Sequence, residues 1–204
     1  TGSLSWRQLF VPLKFFGFWL YTLGYSAGMG SLFVFFSVAP WVMMGRQQLS
    51  AFEFSLVFGT VAIVMMIAAQ VIGRLVRRVG EIVILRAGMG CLIAGALLLV
   101  AGESLIQESV MGFIGPMWLI GVGISAAVSV GPNGALRGLD HIAGTATAVY
   151  FCLGGVLLGG IGTLIILLTP GGSAWPVAVY CMLMAAITLG LSLLRRPGRI
   201  GGRS

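Results

Sequence analysis

The sequence predicts an all-α integral membrane protein of six transmembrane helices, and three observations predict it. The composition is 58% hydrophobic and only 8% charged, with a mean hydropathy of +1.06, whereas about a quarter of the residues of a soluble domain carry charge. Several uncharged runs are long enough to cross about 30 Å of hydrocarbon, which takes about 20 residues. The Lys and Arg residues fall almost entirely on one side of those runs, as expected where cytoplasmic loops retain cations.

Each span follows in chain order. The first covers residues 15–39, the second 54–73 and the third 82–101, with Arg86 close enough to an end to snorkel to the interface. Glu103 and Glu108 lie in the next loop, and the fourth span covers 109–130. After Arg137, Asp140 and His141 an uncharged stretch runs from 142 to 194, too long for one crossing. Within it Thr169-Pro170-Gly171-Gly172-Ser173 is a strong turn signal, which divides the stretch into spans at 142–168 and 175–194.

Over this topology Arg7, Lys14, Arg74, Arg77, Arg78, Arg86, Arg137, Arg195, Arg196, Arg199 and Arg203 lie inside, and Arg46 alone lies outside. A missed or invented span would throw the later clusters out of phase. The bias therefore supports six spans with both termini in the cytoplasm. A net charge of +7 would suggest nucleic acid in a soluble protein; here topology and anionic headgroups of the lipid bilayer account for it, and no nucleic-acid partner is expected.

The chain opens on Thr1, with nothing like a signal peptide, and is expected to be a segment of a longer protein or an incomplete reading frame. Cys91, Cys152 and Cys181 all fall within spans and read as packing residues, so no disulfide, metal site or cofactor is expected. Glycine, at 32 of 204 residues, is about twice its usual ~7% share. Gly24/Gly28 and Gly155/Gly159 follow the small-xxx-small spacing that lets helix backbones approach in lipid.

Pro40, Pro116 and Pro132 lie at or within span ends. The run Val130-Gly131-Pro132-Asn133-Gly134 is expected to break or kink the fourth span, either as a helix terminus or as a hinge at Pro132 and Asn133. Proton relays need a carboxylate in the apolar interior, and no acidic residue falls there. Glu53 follows Ser50 as a Ser-x-x-Glu capping box, and Asp140 and His141 read as a helix start. Gly123-Ile124-Ser125-Ala126 raises an intramembrane serine protease, but His141, the sole histidine, lies in the loop after the same span, leaving Ser125 without a base. A complete six-span protein that dimerises into a transporter is a further alternative.

The inner loop GRLVRRVG at 73–80 resembles the degenerate second copy of the glycine-and-arginine loop motif of the major facilitator superfamily, with Gly73, Arg77, Arg78 and Gly80 at its positions and Arg77 in place of the usual Asp. Longer stretches narrow the match: AGMGSLFVFFSVAPWVMMGR (27–46), RAGMGCLIAGA (86–96), ESVMGFIGPMW (108–118) and NGALRGLDHIAGTATAVYFC (133–152). Together they resemble the C-terminal half of the chloramphenicol and florfenicol exporters, in the drug:proton antiporter branch of that superfamily. Departures fall at Gly115, at Pro132 and in a glycine-richer fifth span.

That resemblance implies a bundle equivalent to the last six of twelve spans, in a bacterial inner (plasma) membrane, with an N-terminal six-span half as partner. It implies transport of a small amphipathic drug against protons, with the proton-titrating carboxylates in the other half. In such transporters the first and fourth spans line the cavity. Phe18, Tyr21, Tyr25 and Met29, at helical spacing on the first, and Trp118, Ser125 and Ser129 on the fourth are then the expected drug-facing residues.

Overall fold

The computed structural model describes residues 9–105, 109–169 and 172–194. A 3-10 turn (Pro12–Lys14) leads into α1 (Phe16–Pro40), which passes into a π-helical turn (Trp41–Arg46). Then follow α2 (Ala51–Val79), α3 (Glu81–Leu105), α4 (Val110–Leu136), a 3-10 turn (Asp140–Ile142), α5 (Ala143–Leu168) and α6 (Trp175–Leu194). All six helices are long and apolar enough to cross a membrane, and each corresponds to one predicted span. Arg7, Glu108, Pro170, Gly171, Arg195, Arg196, Arg199 and Arg203 lie outside the described residues.

Helices outrun the spans most at three C-terminal ends. Pro40 has no N–H to offer the preceding turn, yet the chain does not stop there: a wider turn follows, in which Gln47 N donates to Val42 O, five residues back, at 3.1 Å, and the first helix runs on to Arg46. In α2 nothing between Gly73 and Val79 breaks a helix, and termination waits for Gly80, whose φ of +86° suits a glycine. In α4 the expected end near Val130 is absent, because the helix continues through Pro132 and Asn133 to Leu136; flanking turns hold it where the proline removes one bond.

The capping box at the start of α2 is formed. Ser50 Oγ accepts from Glu53 N at 3.3 Å, and the Glu53 carboxylate accepts from Ser50 N at 2.9 Å. Ser50→Ala is expected to cost about 1 kcal/mol, seen as a lower melting temperature of the purified protein in detergent.

At the centre α1 packs on α4, α5 and α6, while α4 packs on α1, α2 and α3; behind them α3 lies against α6. Only 17% of the apolar stretch of α2 and of α5 is buried, against 56% in α1 and 61% in α4. The two flanking helices are therefore the ones left uncovered.

Along α3, Gly88, Gly95 and Gly102 recur every seventh residue and all face α4. A Cβ at Gly88 would lie 3.1 Å from Gly123 O, one at Gly95 3.2 Å from Pro116 O, and one at Gly102 2.4 Å from Gly112 O. This seam brings two backbones together in lipid, where close van der Waals packing drives association.

Ion pairs join neighbouring helix ends. Arg137 Nη2 donates to Glu81 Oε2 at 2.9 Å, across α4 and α3, and Arg46 pairs with Glu103 where α1 and α3 finish. From within α3, Arg86 donates to the Ser192 hydroxyl at 3.1 Å and to its carbonyl, which caps the last turn of α6.

Candidate functional site

Small residues bring α1 and α4 together. A Cβ at Gly28 would meet Ala127 Cβ at 2.9 Å and Ile124 O at 3.4 Å, so the backbones nearly touch. Among the residues left half-buried or exposed are Tyr25, Met29, Leu32 and Phe36 on α1, and Trp118, Val122, Ser129 and Asn133 on α4. The α1 set is spaced by three and four residues and the α4 set by four and seven, so each falls on one helix face as a stripe, the α4 set on the side away from Ala127, which meets α1.

Tyr25, Met29, Trp118 and Ser129, read from the sequence as drug-facing, lie on these stripes. Phe18 and Tyr21, on the same helical arc, are inside the bundle at 1% and 3% exposure. Phe18 meets Tyr150 edge-on, with ring centroids 6.3 Å apart, and the Tyr21 ring lies over Gly134, where a Cβ would be 2.4 Å from it. Ser125 is buried too. Its hydroxyl lies 2.9 Å from Gly121 O and 3.1 Å from Met65 O, donating to these carbonyls and tying α4 to α2. With its proton engaged by carbonyls and His141 exposed in the 3-10 turn beyond α4, Ser125 has no place as a nucleophile. Trp118 Nε1 donates to Thr60 Oγ1 at 2.9 Å, a second α2–α4 tie.

Tyr150 and Phe151 of α5 complete an aromatic cluster that sequence reasoning did not single out. Ring centroids are 5.2 Å apart for Tyr25–Tyr150, 5.6 Å for Tyr25–Phe151 and 5.1 Å for Tyr150–Phe151. An adjacent aromatic pair in the fifth span was the available signal. One edge of the Tyr25 ring packs on α5 where position 154 is glycine, a Cβ there standing 3.0 Å from the ring.

The hinge candidates sit toward the C-terminal end of α4. Pro132 is half-buried and Asn133 exposed, between Gly131, which faces the Tyr150 hydroxyl, and Gly134, which faces Tyr21. In the loop motif, Gly73, Arg77 and Arg78 are exposed on the last turns of α2 and only Gly80 forms the turn. Directly after it Glu81 accepts the Arg137 ion pair, so an acidic contact stands at this corner although Arg77 replaces the motif's Asp.

Small-xxx-small pairs divide as well. Gly24 meets the Leu85 side chain and Gly28 meets α4, while Gly155 and Gly159 have no atom within 4 Å of a built Cβ. Of the cysteines Cys181 is buried, with Sγ 3.1 Å from Ser31 Oγ, and Cys152 is exposed on α5.

No charge interrupts the stripes: the described carboxylates, Glu53, Glu81, Glu103 and Asp140, all stand at helix ends. Fold and site together define a multi-pass α-helical membrane protein with an uncharged, aromatic stripe on α1 between α2 and α5. The chain is similar to a chloramphenicol resistance protein of Pseudomonas aeruginosa, 62% identical over 196 residues, which is 96% of this chain and 47% of that protein. It is similar also to a chloramphenicol resistance protein of Escherichia coli, 44% identical over 130 residues, 64% of this chain and 43% of that protein. The chain thus spans about half the length of the curated relatives it matches. No family model matches it, and no solved structure does.

Proposed function

We propose that this chain is the C-terminal half of a proton-coupled phenicol exporter of major facilitator type, its six helices being the seventh to twelfth spans. The observation that carries this reading is the uncovered pair α2 and α5, standing on either side of an uncharged aromatic stripe. An exposed amide has little use on a surface made only for lipid, yet α2 exposes Gln70. A second six-helix half would cover both flanks and close the stripe into a cavity, as repeat interfaces do in secondary transporters.

Similarity to two chloramphenicol resistance proteins, each matched over about half its length, supports the same reading. A phenicol drug is neutral and amphipathic, so it calls for aromatic and apolar walls with a few hydroxyl or amide partners rather than a fixed counter-charge. Tyr25, Met29, Trp118, Ser129 and Asn133 are of that kind. Titrating carboxylates for proton coupling belong on this account to the partner half, and the cationic helix ends face the cytoplasm of a bacterial cell.

Cells producing this chain alone are expected to accumulate labelled chloramphenicol as empty-vector cells do, while cells also producing the N-terminal half accumulate less. Efflux by the chain alone would overturn the half-transporter reading in favour of a homodimer built on the same face.

A further inference from the structure

Phe33, Ser37 and Trp41 stand four residues apart along the first helix, so they follow one another down one side of it. Phe33 fills the groove between α1 and α5: a Cβ at Gly162 would lie 3.0 Å from its ring. Serine, one turn on, is too short to do the same, and its hydroxyl turns back to donate to Phe33 O at 2.9 Å. The Trp41 indole then reaches the turn before α6, where a Cβ at Gly172 would be 3.6 Å from Cε3. This large, small, large order leaves a crevice of about 160 Å³ beside Trp41.

Val38 and Pro176, both buried, form its α1 and α6 walls, and Ile166 forms the α5 wall. No charged residue is among the described residues that line it. The crevice is separate from the aromatic stripe. Each helical residue turns about 100°, which carries Ser37 that far from Phe36 and onto the face of Gly30, which meets Tyr180 of α6. Its place in the bundle is where α1 and α5 finish and α6 begins. Arg46, paired with Glu103, belongs at the water boundary. Trp41, five residues before it, therefore stands about 7 Å deeper.

An apolar cavity of about 150 Å³ stays dry and takes a benzene-sized group. In a bilayer, the apolar group of that size present at this depth is the stretch of acyl chain next to a lipid headgroup. We propose that the crevice seats this stretch of one phospholipid, held as a bound lipid between α1, α5 and α6, with the Trp41 indole packed along the chain. Trp41 is 69% exposed, and tryptophan suits that position because its ring body is apolar and its place is at headgroup level. The occupant is the bilayer itself, so the inference does not depend on what the protein exports.

Ser37→Phe puts a ring into the crevice, whereas Ser37→Ala leaves it open. Native mass spectrometry of the purified full-length protein containing this segment is expected to show one phospholipid retained by the unsubstituted protein and by Ser37→Ala, and that lipid lost from Ser37→Phe. Ile166→Phe, which fills the same space from α5, is expected to lose it too, and serves in place of Ser37→Phe if that variant fails to fold. No retained lipid in the unsubstituted protein, or the same lipid complement in the filled variants, would overturn the proposal. So would loss of labelled chloramphenicol binding from the filled variants with their lipid unchanged, which would assign the crevice to the drug. Failure of the exporter reading in its own accumulation assay leaves the lipid count as it is, so the two results are distinguishable.

Discussion

Gly102→Ala is expected to destabilise the bundle by about 1–3 kcal/mol, the usual cost of forcing an extra carbon into a packed contact. Its new Cβ would stand 2.4 Å from the Gly112 carbonyl oxygen. That neighbour is backbone, so relief requires α3 and α4 to part where the first ends and the second begins, near the Arg46–Glu103 ion pair. Gly90→Ala in the same helix is the control: nothing lies within 4 Å of its Cβ, and alanine is the better helix former, so stability should hold or improve. Thermal denaturation of the two variants in detergent measures the difference. Equal behaviour would mean that the seven-residue glycine seam does not set the α3–α4 distance.

Gly131→Ala tests a contact of another kind, because the clashing atom is the end of a side chain. The added carbon would lie 2.4 Å from the Tyr150 hydroxyl, yet its next neighbours, Tyr25 Cβ at 3.4 Å and Tyr150 Cζ at 3.7 Å, are ordinary contacts. The single variant is expected to lose about 1–3 kcal/mol. Tyr150→Phe in the same molecule removes the offending oxygen and should restore most of that loss, a coupling of the size found for touching residues. A double variant as unstable as Gly131→Ala alone would show that something other than the hydroxyl requires glycine there.

Six helices were legible in the sequence because lipid leaves the backbone no alternative to pairing with itself over about 20 apolar residues. Their ends were less so. Hydropathy stops where charge begins, at Gly73, whereas the backbone of α2 stops only where a residue takes positive φ, at Gly80. Ser50 and Glu53 could be read correctly because a capping box depends on residues three apart and on nothing distant.

The site was harder to read, since neighbours rather than spacing decide which face is open. Phe18, Tyr21, Tyr25 and Met29 share one helical arc, but Tyr150 and Gly134 cover its N-terminal end and leave only Tyr25 and Met29 half-buried. Ser125 could pass for a cavity residue until its bond to Met65 O placed it against α2. Gly24/Gly28 and Gly155/Gly159 have identical spacing, yet the first pair is packed and the second open. The seven-residue repeat of Gly88, Gly95 and Gly102 was visible in the letters, but only the approach of α4 gives it meaning.

The π-helical turn at Trp41–Arg46 bears on how the length of this chain varies over evolutionary time. Losing one residue from a regular α-helix turns everything beyond it by about 100° relative to everything before, and a core packed on both sides rejects that. A π-helical turn already holds a surplus residue, and losing it lets the backbone close into ordinary α-helical bonds. Natural variants one residue shorter in this helix should therefore have their gap between Pro40 and Gln47, at the helix end, where a change of length leaves the aromatic stripe in phase.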